Sequence, residues 1–581
     1  MINELANVWP QSGLFAFSGV DGETRHAEPF VAAGLADTLG WYFYLTPRVT
    51  ARLTVNGSPL LPRKTPDGYC LSDCWHCAVA DFPDIRVDGA FVDRQTLLLR
   101  IGTSDTGMDV QLLLDPAPRE MDTGRLIAGN GWWLAVRQRR TGLHDQFGLA
   151  ISYADADDAL AHASAALDTD LDSIVRDRLR FYEEAAIPES LSDTARRAFF
   201  KAVSIQKVNI ESPQMDMPYR WTTPDRMPHR HMWMWDTAFH GLGLQYLDAE
   251  IADEAMRALF VKQRPDGKLL LAVQPGQPNR EEEDTQPPIV AWSLCHQNER
   301  NGRTECLQEL YPAVVRYLEW FEHNRKNGHG LYGWRVRVDA DPVRGARGGE
   351  SGMDNSPRFD RIAGMTAVDL SCYMASEYRC MGKLAQCLGR TEDVAEWRRR
   401  HIEIARRVNA LLWDDEDQFY YDLDEQDDFV PVKTTAGFMP LLAEIPDRDR
   451  AEALRMHLTN PKEFWSAAPL ASVSQDERDF CQDMWRGPMW PNVNLLVYYG
   501  LMAYGFFQEA RALGRATLRE ISHWYARTGC FYEYYDSTGT LPPPELPRKG
   551  GVGEQGGVGF GVVADLHWTA AVYVHLSNEL G

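Results

Sequence analysis

The sequence predicts a mainly α-helical protein: a closed toroid of helix hairpins over residues 188–581, preceded by an N-terminal antiparallel β-sandwich-like domain (1–168) and a linker helix (169–187). Three observations predict it. The first 165 residues carry short alternating or aromatic runs punctuated by turn dipeptides. The stretch DLDSIVRDRLRFYEEAA then changes the apolar period to that of a helix. Beyond it, about a dozen helical segments alternate with Gly-, Pro- and Asp-rich connections, the pattern of paired helices that bury their apolar faces against their neighbours.

In the N-terminal part, WYFYL (41–45), VTARLTV (49–55), TLLLRI (96–101) and DVQLLLD (109–115) read as strands. NG at 56–57, DG at 88–89 and GNG at 129–131 read as turns between strands. Cys70, Cys74, His76 and Cys77 lie close together in YCLSDCWHC. Metal ligation is one reading, but structural zinc sites pair two separated ligand groups and no second group follows nearby. Small buried thiols in a strand-rich region are the preferred reading.

In the linker, Ile174, Val175, Leu179 and Tyr182 recur at helical spacing. The helices expected after it cover 190–210, 235–246, 249–263, 286–298, 308–325, 366–388, 391–412, 433–444, 447–457, 490–503, 505–526 and 561–578. Helix hairpins closing into a ring leave their long loops at one end to build a site.

Composition narrows the partners. Hydrophobic content of 44% and charged content of 25% are those of a folded globular protein. A formal charge of -23 argues against nucleic acid or an anionic membrane surface as the main partner, because both repel an acidic chain. MINELANVWPQSG has neither a basic nor an apolar export region, no window has the roughly 18 apolar residues of a membrane span, and the ten cysteines read as reduced thiols. Cytoplasmic residence is therefore expected, with a small-molecule or oligosaccharide substrate and no cofactor; a neutral substrate fits the charge more easily, although a local Arg cluster could still hold an anion, and the oligomeric state is left open.

The unusual residues sit in the long connections. HRHMWMWDTAFH (229–240) sets His and Trp around Asp236, and EEEDTQPPIVAW (281–292) puts Gln286 before a double proline. DMWRGPMWPNVN (483–494) holds Trp485, Arg486 and Trp490, and HWTAA (567–571) holds Trp568. One aromatic is most simply core. Several tryptophans beside Asp, Arg, Gln and Glu at helix ends suit a polyhydroxylated ring, whose C–H faces stack on indole and whose hydroxyls need charged or amide partners.

Cleaving a glycosidic bond takes two carboxyl groups, one to protonate the leaving oxygen and one to activate water or attack the sugar. Asp354, in ESGMDNSPRFD (350–360), and Glu533, in FYEYYDSTG (531–539), are the best pair. Only a closed fold brings together residues so far apart in sequence.

On ESGMDNSPRFD, WMWDTAFH, TQPP, Asp369-Leu370, FYYDLD (419–424), MWRGPMWPNVN, EYYDSTG and HWTAA, in that family's order, the chain resembles the inverting α-glycosidases of glycoside hydrolase family 63, with the family 37 trehalases as relatives. The resemblance spans about 188–581. It implies an (α/α)6 barrel, Asp354 as general acid and Glu533 as general base. The implied substrate is a terminal α-glucosyl or α-mannosyl residue on a small glycoside or oligosaccharide. Inversion requires the two carboxyl groups to stand roughly 6.5 to 9.5 Å apart, and a spacing near 5.5 Å contradicts it. Trp235, Asp236, Gln286, Trp485, Arg486, Trp490 and Trp568 are implied substrate-pocket residues.

Glu350 is expected to adjust the charge of Asp354 or to bind a sugar hydroxyl. Arg358 is expected to orient a carboxylate or to form an ordinary ion pair. The chain departs from the trehalases at Asp284-Thr285, where they carry an Arg, and in GGVGEQGGVGFG (550–561), where Glu554 reads as a further pocket carboxylate or a lid residue. A trehalase-like or α-rhamnosidase-like enzyme, a lyase or epimerase on the same toroid, and a non-catalytic carbohydrate-binding protein are the alternatives.

Overall fold

A computed structural model of the protein describes residues 5, 14–15, 31–35, 38–43, 45–63, 65–71, 73–226, 229–278, 284–551 and 561–581. Glu554 and most of the N-terminal segment discussed above lie outside them. The chain divides into two compact units, Met1–Gln214 with Ser522–Phe531, and Met215–Ile521 with Tyr532–Gly581.

The first unit holds two antiparallel sheets. One runs in the strand order 14–15, 31–35, 38–43, 49–55, 110–115. The other runs 119–121, 124–128, 133–141, 144–152, 96–102, 86–91, 74–79, 62–63. Trp41 of the first and Trp75 of the second are buried with ring centroids 6.2 Å apart, so the apolar faces of the two sheets meet. Asn56 and Gly57 have positive φ and close the hairpin between strands 49–55 and 58–59, as NG turns do.

DG at 88–89 is not a turn. It lies inside the strand Arg86–Phe91, where Gly89 faces Trp75 in register. A Cβ on Gly89 would come within 2.3 Å of that indole, so glycine here makes room for tryptophan. Cys70, Cys74 and Cys77 are buried, while His76 turns to Asp88 at 2.5 Å.

A helix also stands where the strand-rich reading did not place one. α1 (Ala156–Leu167) starts on Asp155, whose side chain accepts from the Asp158 amide, and packs Ala159, Leu160 and Ala163 on the two strands 133–141 and 144–152. Gly148 allows the contact, since a Cβ there would meet the Ala163 carbonyl at 2.1 Å. Alanine supplies helix propensity with little apolar contrast, so the period is faint in sequence. α2 (Leu171–Glu184) and α3 (Asp193–Val208) follow.

In the second unit come α4 (Met234–Leu244), α5 (Ala249–Val261), α6 (Val290–Asn301), α7 (Thr304–Asn324), α8 (Val368–Cys387), α9 (Thr391–Leu411), α10 (Met439–Leu442), α11 (Arg448–Thr459), α12 (Pro491–Ala503), α13 (Phe507–Thr528), whose residues from Ser522 on belong to the first unit, and α14 (His567–Leu580). α4, α6, α8, α10, α12 and α14 each pack on the next, and α14 packs on α4, which closes the ring of an (α/α)6 barrel. The inner helices are apolar nearly all round: every residue of α4 is buried. The outer α9 buries only Trp397, Ile404 and Val408, one stripe of an otherwise charged helix.

The expected helix at 286–298 starts later, at Val290, because Pro287 and Pro288 hold the chain extended. The one at 433–444 shortens to a 3-10 turn (Thr435–Phe438) followed by α10. Among the described residues no helix is long and apolar enough to cross a membrane.

Candidate active site

The starts of the inner helices carry the site. Trp235 opens α4, Trp490 precedes α12 and Trp568 lies in the first turn of α14. Trp485 stacks on Trp490 at 3.6 Å, and Trp235 lies 6.4 Å from Trp485 and 5.8 Å from Trp568. These four indoles form one buried wall. The Nε1 atoms of Trp235 and Trp485 are buried with no hydrogen-bond acceptor within the protein. Gln286, just before α6, accepts from the Trp235 amide at 2.9 Å and ties the TQPP segment to the wall.

Asp354 arrives on a loop built around the same tryptophan. Gly352 has φ +76°, and a Cβ there would meet the Trp235 ring at 2.4 Å, so only glycine lets the backbone pass. The Gly348 amide donates to the Asp354 carbonyl at 2.9 Å, which closes the turn.

Glu350, fully buried, anchors the loop. It accepts from the Thr285 amide (3.0 Å), the Arg335 amide (2.7 Å) and the Arg325 guanidinium (2.5 Å). Arg358 is equally buried, bridging Asp369 at the start of α8 (2.8 Å) and Asp422 (2.9 Å). Arg486 binds both oxygens of Asp360 and the Asn355 carbonyl. All three of these charged side chains thus have partners within the protein. They frame the loop that carries Asp354, whereas the four tryptophans pack on one another and Gln286 is tied to Trp235.

Glu533 comes from the opposite side. Its amide donates to the Val563 carbonyl at 2.9 Å, and Trp568 Nε1 donates to its carbonyl at 3.4 Å. Its carboxylate is 5% exposed and bound by the Arg548 guanidinium. The next residue, Lys549, places its ammonium 2.5 Å from Asp354. Asp483 holds this dipeptide segment down by accepting from the Lys549 and Gly550 amides at 2.7 Å, and it also takes Asn355 Nδ2 at 3.4 Å. Tyr534, beside Glu533, donates to the Pro547 carbonyl at 2.7 Å. One short segment therefore supplies a cation to each carboxylate, and both catalytic candidates are fixed from both sides.

Asp236, buried in the first turn of α4, behaves differently. Burial pushes its carboxyl up to about 8, with Glu533 and Asp225 adding and His229 opposing, so it is a neutral hydrogen-bond donor at neutral pH. His229 is bound by Asp225 at 2.6 Å; burial works against its charge, but Asp225 outweighs burial and raises its basicity. His240 and His567 stack at 3.7 Å behind the site, and burial holds both neutral.

Sequence reasoning missed Arg548, Lys549, Asp483 and the Asp225–His229 pair. A signal was present for two of them: Arg548 and Lys549 are the only cations between Gly539 and Leu566, in a stretch otherwise rich in Gly and Pro.

The family model described as the mannosylglycerate hydrolase MGH1-like glycoside hydrolase domain matches residues 229–543, more than half of the chain. The chain belongs to this family. The match runs through Trp235, Trp485 and Trp490 of the tryptophan wall, the Asp354 loop and Glu533, and ends before Trp568. A mannosylglycerate hydrolase of Thermus thermophilus is 27% identical over 440 residues, covering 62% of this chain and 99% of that protein. An uncharacterized protein of Borreliella burgdorferi is 28% identical over 232 residues, 40% of this chain; the chain spans only about half of it, 46%. Among solved structures, a GH63 mannosylglycerate hydrolase from Thermus thermophilus in complex with glucose is 26% identical with a TM-score of 0.52, covering 65% of this chain and 99% of that one.

Proposed function

We propose that the protein is an inverting, exo-acting glycoside hydrolase that releases a terminal α-mannosyl or α-glucosyl residue from a small glycoside whose aglycone is an anion. The observation that carries this reading is the Arg548-Lys549 dipeptide, which sets one cation on Glu533 and the next on Asp354 beside a wall of four tryptophans.

In this reading the sugar stacks on the indole wall, and the unpaired Trp235 and Trp485 N–H groups and the protonated Asp236 donate to its hydroxyls. Asp354 carries the proton that goes to the glycosidic oxygen, and the bond from that oxygen to the anomeric carbon breaks. Glu533, paired with Arg548, takes a proton from water as the water oxygen attacks the anomeric carbon from the opposite face. One displacement converts the α-glycoside to the β-anomer of the free sugar.

The acid sits on the aglycone side of the broken bond, so Lys549 does too. The Lys549 ammonium binds an Asp354 oxygen, the position the catalytic proton needs. A carboxylate on the aglycone offers Lys549 another partner and frees that oxygen for the proton. Arg344 packs against Gly550 and adds positive charge on the same side. The named substrate of the Thermus relative, mannosylglycerate, has an aglycone of this type.

The test is a panel of α-mannosides and α-glucosides with glycerate or neutral aglycones, with the first-formed anomer followed by NMR. Initial release of the β-anomer, and preference for the charged aglycone, are expected. Initial release of the α-anomer would rule out the single displacement, and equal rates on neutral aglycones would rule out the anionic one.

A further inference from the structure

The inner helices have a second end, far from the carboxylates. Asp369 opens α8, and Cys380 lies on the same helix about 16 Å further along its axis. There the last turns of α6, α8 and α12 and the residues after α10 enclose a cavity of about 260 Å³. Cys295 of α6 and Cys380 of α8 both line it.

The two thiols sit close enough at the α6–α8 contact for each to change the other's basicity. They are 4% and 2% exposed, buried by the helices but open to the cavity. The cavity itself reaches solvent at its rim, where the side chains of Glu299 and Lys383 are half exposed and 3.1 Å apart. The Cys295 Sγ also lies 3.6 Å from Glu299 Oε1. Arg379 supplies a second cation, paired with Glu444 at 2.5 Å.

We propose that Cys295 and Cys380 form a reversible thiol–disulfide site that a small peroxide oxidises at the end of the barrel opposite the carboxylates. The environment fits the required chemistry. Cys295, Arg379 and Lys383 favour a thiolate at Cys380, while burial and the Glu299 carboxylate oppose it. In the first step the Cys380 thiolate attacks a peroxide oxygen: an S–O bond forms, the O–O bond breaks and the departing hydroxide takes a proton. Cys380 is then a sulfenic acid. In the second step Cys295, having lost its proton, attacks the Cys380 sulfur. The S–S bond forms, the S–O bond breaks and a second water leaves. Both sulfurs are oxidised and both peroxide oxygens reduced, so two thiols and one peroxide give one disulfide and two waters. The bridge covalently joins α6 to α8.

Cys387 and Cys481 are exposed and would react with any oxidant, so the experiment uses the full chain with Cys387→Ser and Cys481→Ser. The protein is treated with hydrogen peroxide, alkylated without reductant and mapped by mass spectrometry. The expected result is a peptide pair joining Cys295 to Cys380, the loss of two hydrogens from the intact mass and the loss of two titratable thiols, all reversed by dithiothreitol. A further Cys295→Ser change is expected to leave Cys380 as a sulfenic acid that dimedone labels. If peroxide leaves both thiols free to alkylate in the folded protein, or carries Cys380 to sulfinic acid with no cross-link, the proposal is overturned. The map of the protein retaining both thiols decides the matter even where the Cys295 variant does not fold.

Discussion

Lys549 Nζ lies 2.5 Å from an Asp354 oxygen, one residue along the chain from Arg548, which binds Glu533. If the ammonium's substrate-bound partner is an aglycone carboxylate, Lys549→Met removes an attraction that a neutral aglycone never made. A hydrogen bond to a charged group contributes about 1.5 to 3 kcal/mol, on the order of a 10- to 100-fold effect. Lys549→Met is expected to lower kcat/KM by that factor on a glycerate glycoside and much less on a methyl glycoside. Steady-state kinetics on the two substrates checks it, and equal losses on both would assign Lys549 to the loop rather than to the substrate.

Arg548 has a different role from its neighbour. Both it and Glu533 are nearly buried, with side-chain exposures of 11% and 6%, so the pair is shielded from water. Removing one partner of a buried pair strands the other, at about 3 to 5 kcal/mol. Arg548→Gln is expected to lower the unfolding free energy by about that amount and to reduce kcat, because the base loses the group that orients it. Urea denaturation and kcat measured on the same preparation test both effects; a stable variant with unchanged kcat would contradict the pairing.

Asp236 makes folding pH-dependent. Its carboxyl is pushed up to about 8 by burial, against an ordinary value of 3.8. Between those values the unfolded chain has lost this proton and the folded protein keeps it. Stability from this group is therefore greatest below the ordinary value, falls as pH rises, and levels off above pH 8. The loss between pH 5 and pH 8 reaches up to about 4 kcal/mol for a single group shifted this far. Asp236→Asn cannot lose the proton. Denaturation of the two proteins at pH 5 and pH 8 is expected to show a smaller loss in the variant, and parallel curves would mean that Asp236 is ionised in the folded state.

The parts of this molecule that sequence makes legible are those governed by local periodicity. The charged outer helix α9 and the wholly buried α4 each carry their burial in their own residues, so the ring of hairpins could be anticipated from Trp397, Ile404 and Val408 on one side and from WMWDTAFH on the other. Asp354 stands out in sequence because an unusual composition surrounds it, and Glu533 is the partner the two-carboxylate chemistry asks for. Gly89 misled because its glycine answers to Trp75, on the neighbouring strand, rather than to a turn. Glu350 reads as a charge next to an acid, yet its partners Arg325, Thr285 and Arg335 come from three other segments. Lys549 stands out in sequence only as a cation in a Gly- and Pro-rich stretch, since its meaning depends on which carboxylate the fold brings to it.

Glu350 supplies the last test, because it separates framing from chemistry. Its carboxylate satisfies two amides and a guanidinium and has no exposed surface left for a sugar hydroxyl. Glu350→Gln keeps the shape but loses the charge opposite Arg325, which is 15% exposed and cannot fully recover its hydration. A cost of about 3 to 5 kcal/mol in unfolding free energy is expected. The Asp354 loop, no longer pinned to Thr285 and Arg335, should also lose its fixed geometry, and misplacing a reacting group by about 1 Å can cost on the order of 100-fold in rate. The expected signature is a coupled fall in stability and kcat, with the ratio of rates on charged and neutral aglycones unchanged. Asp354→Asn should instead lower kcat by about 100- to 10,000-fold with stability nearly intact. A Glu350→Gln variant as stable as the parent but as inactive as Asp354→Asn would move Glu350 from the frame of the loop into the reaction itself.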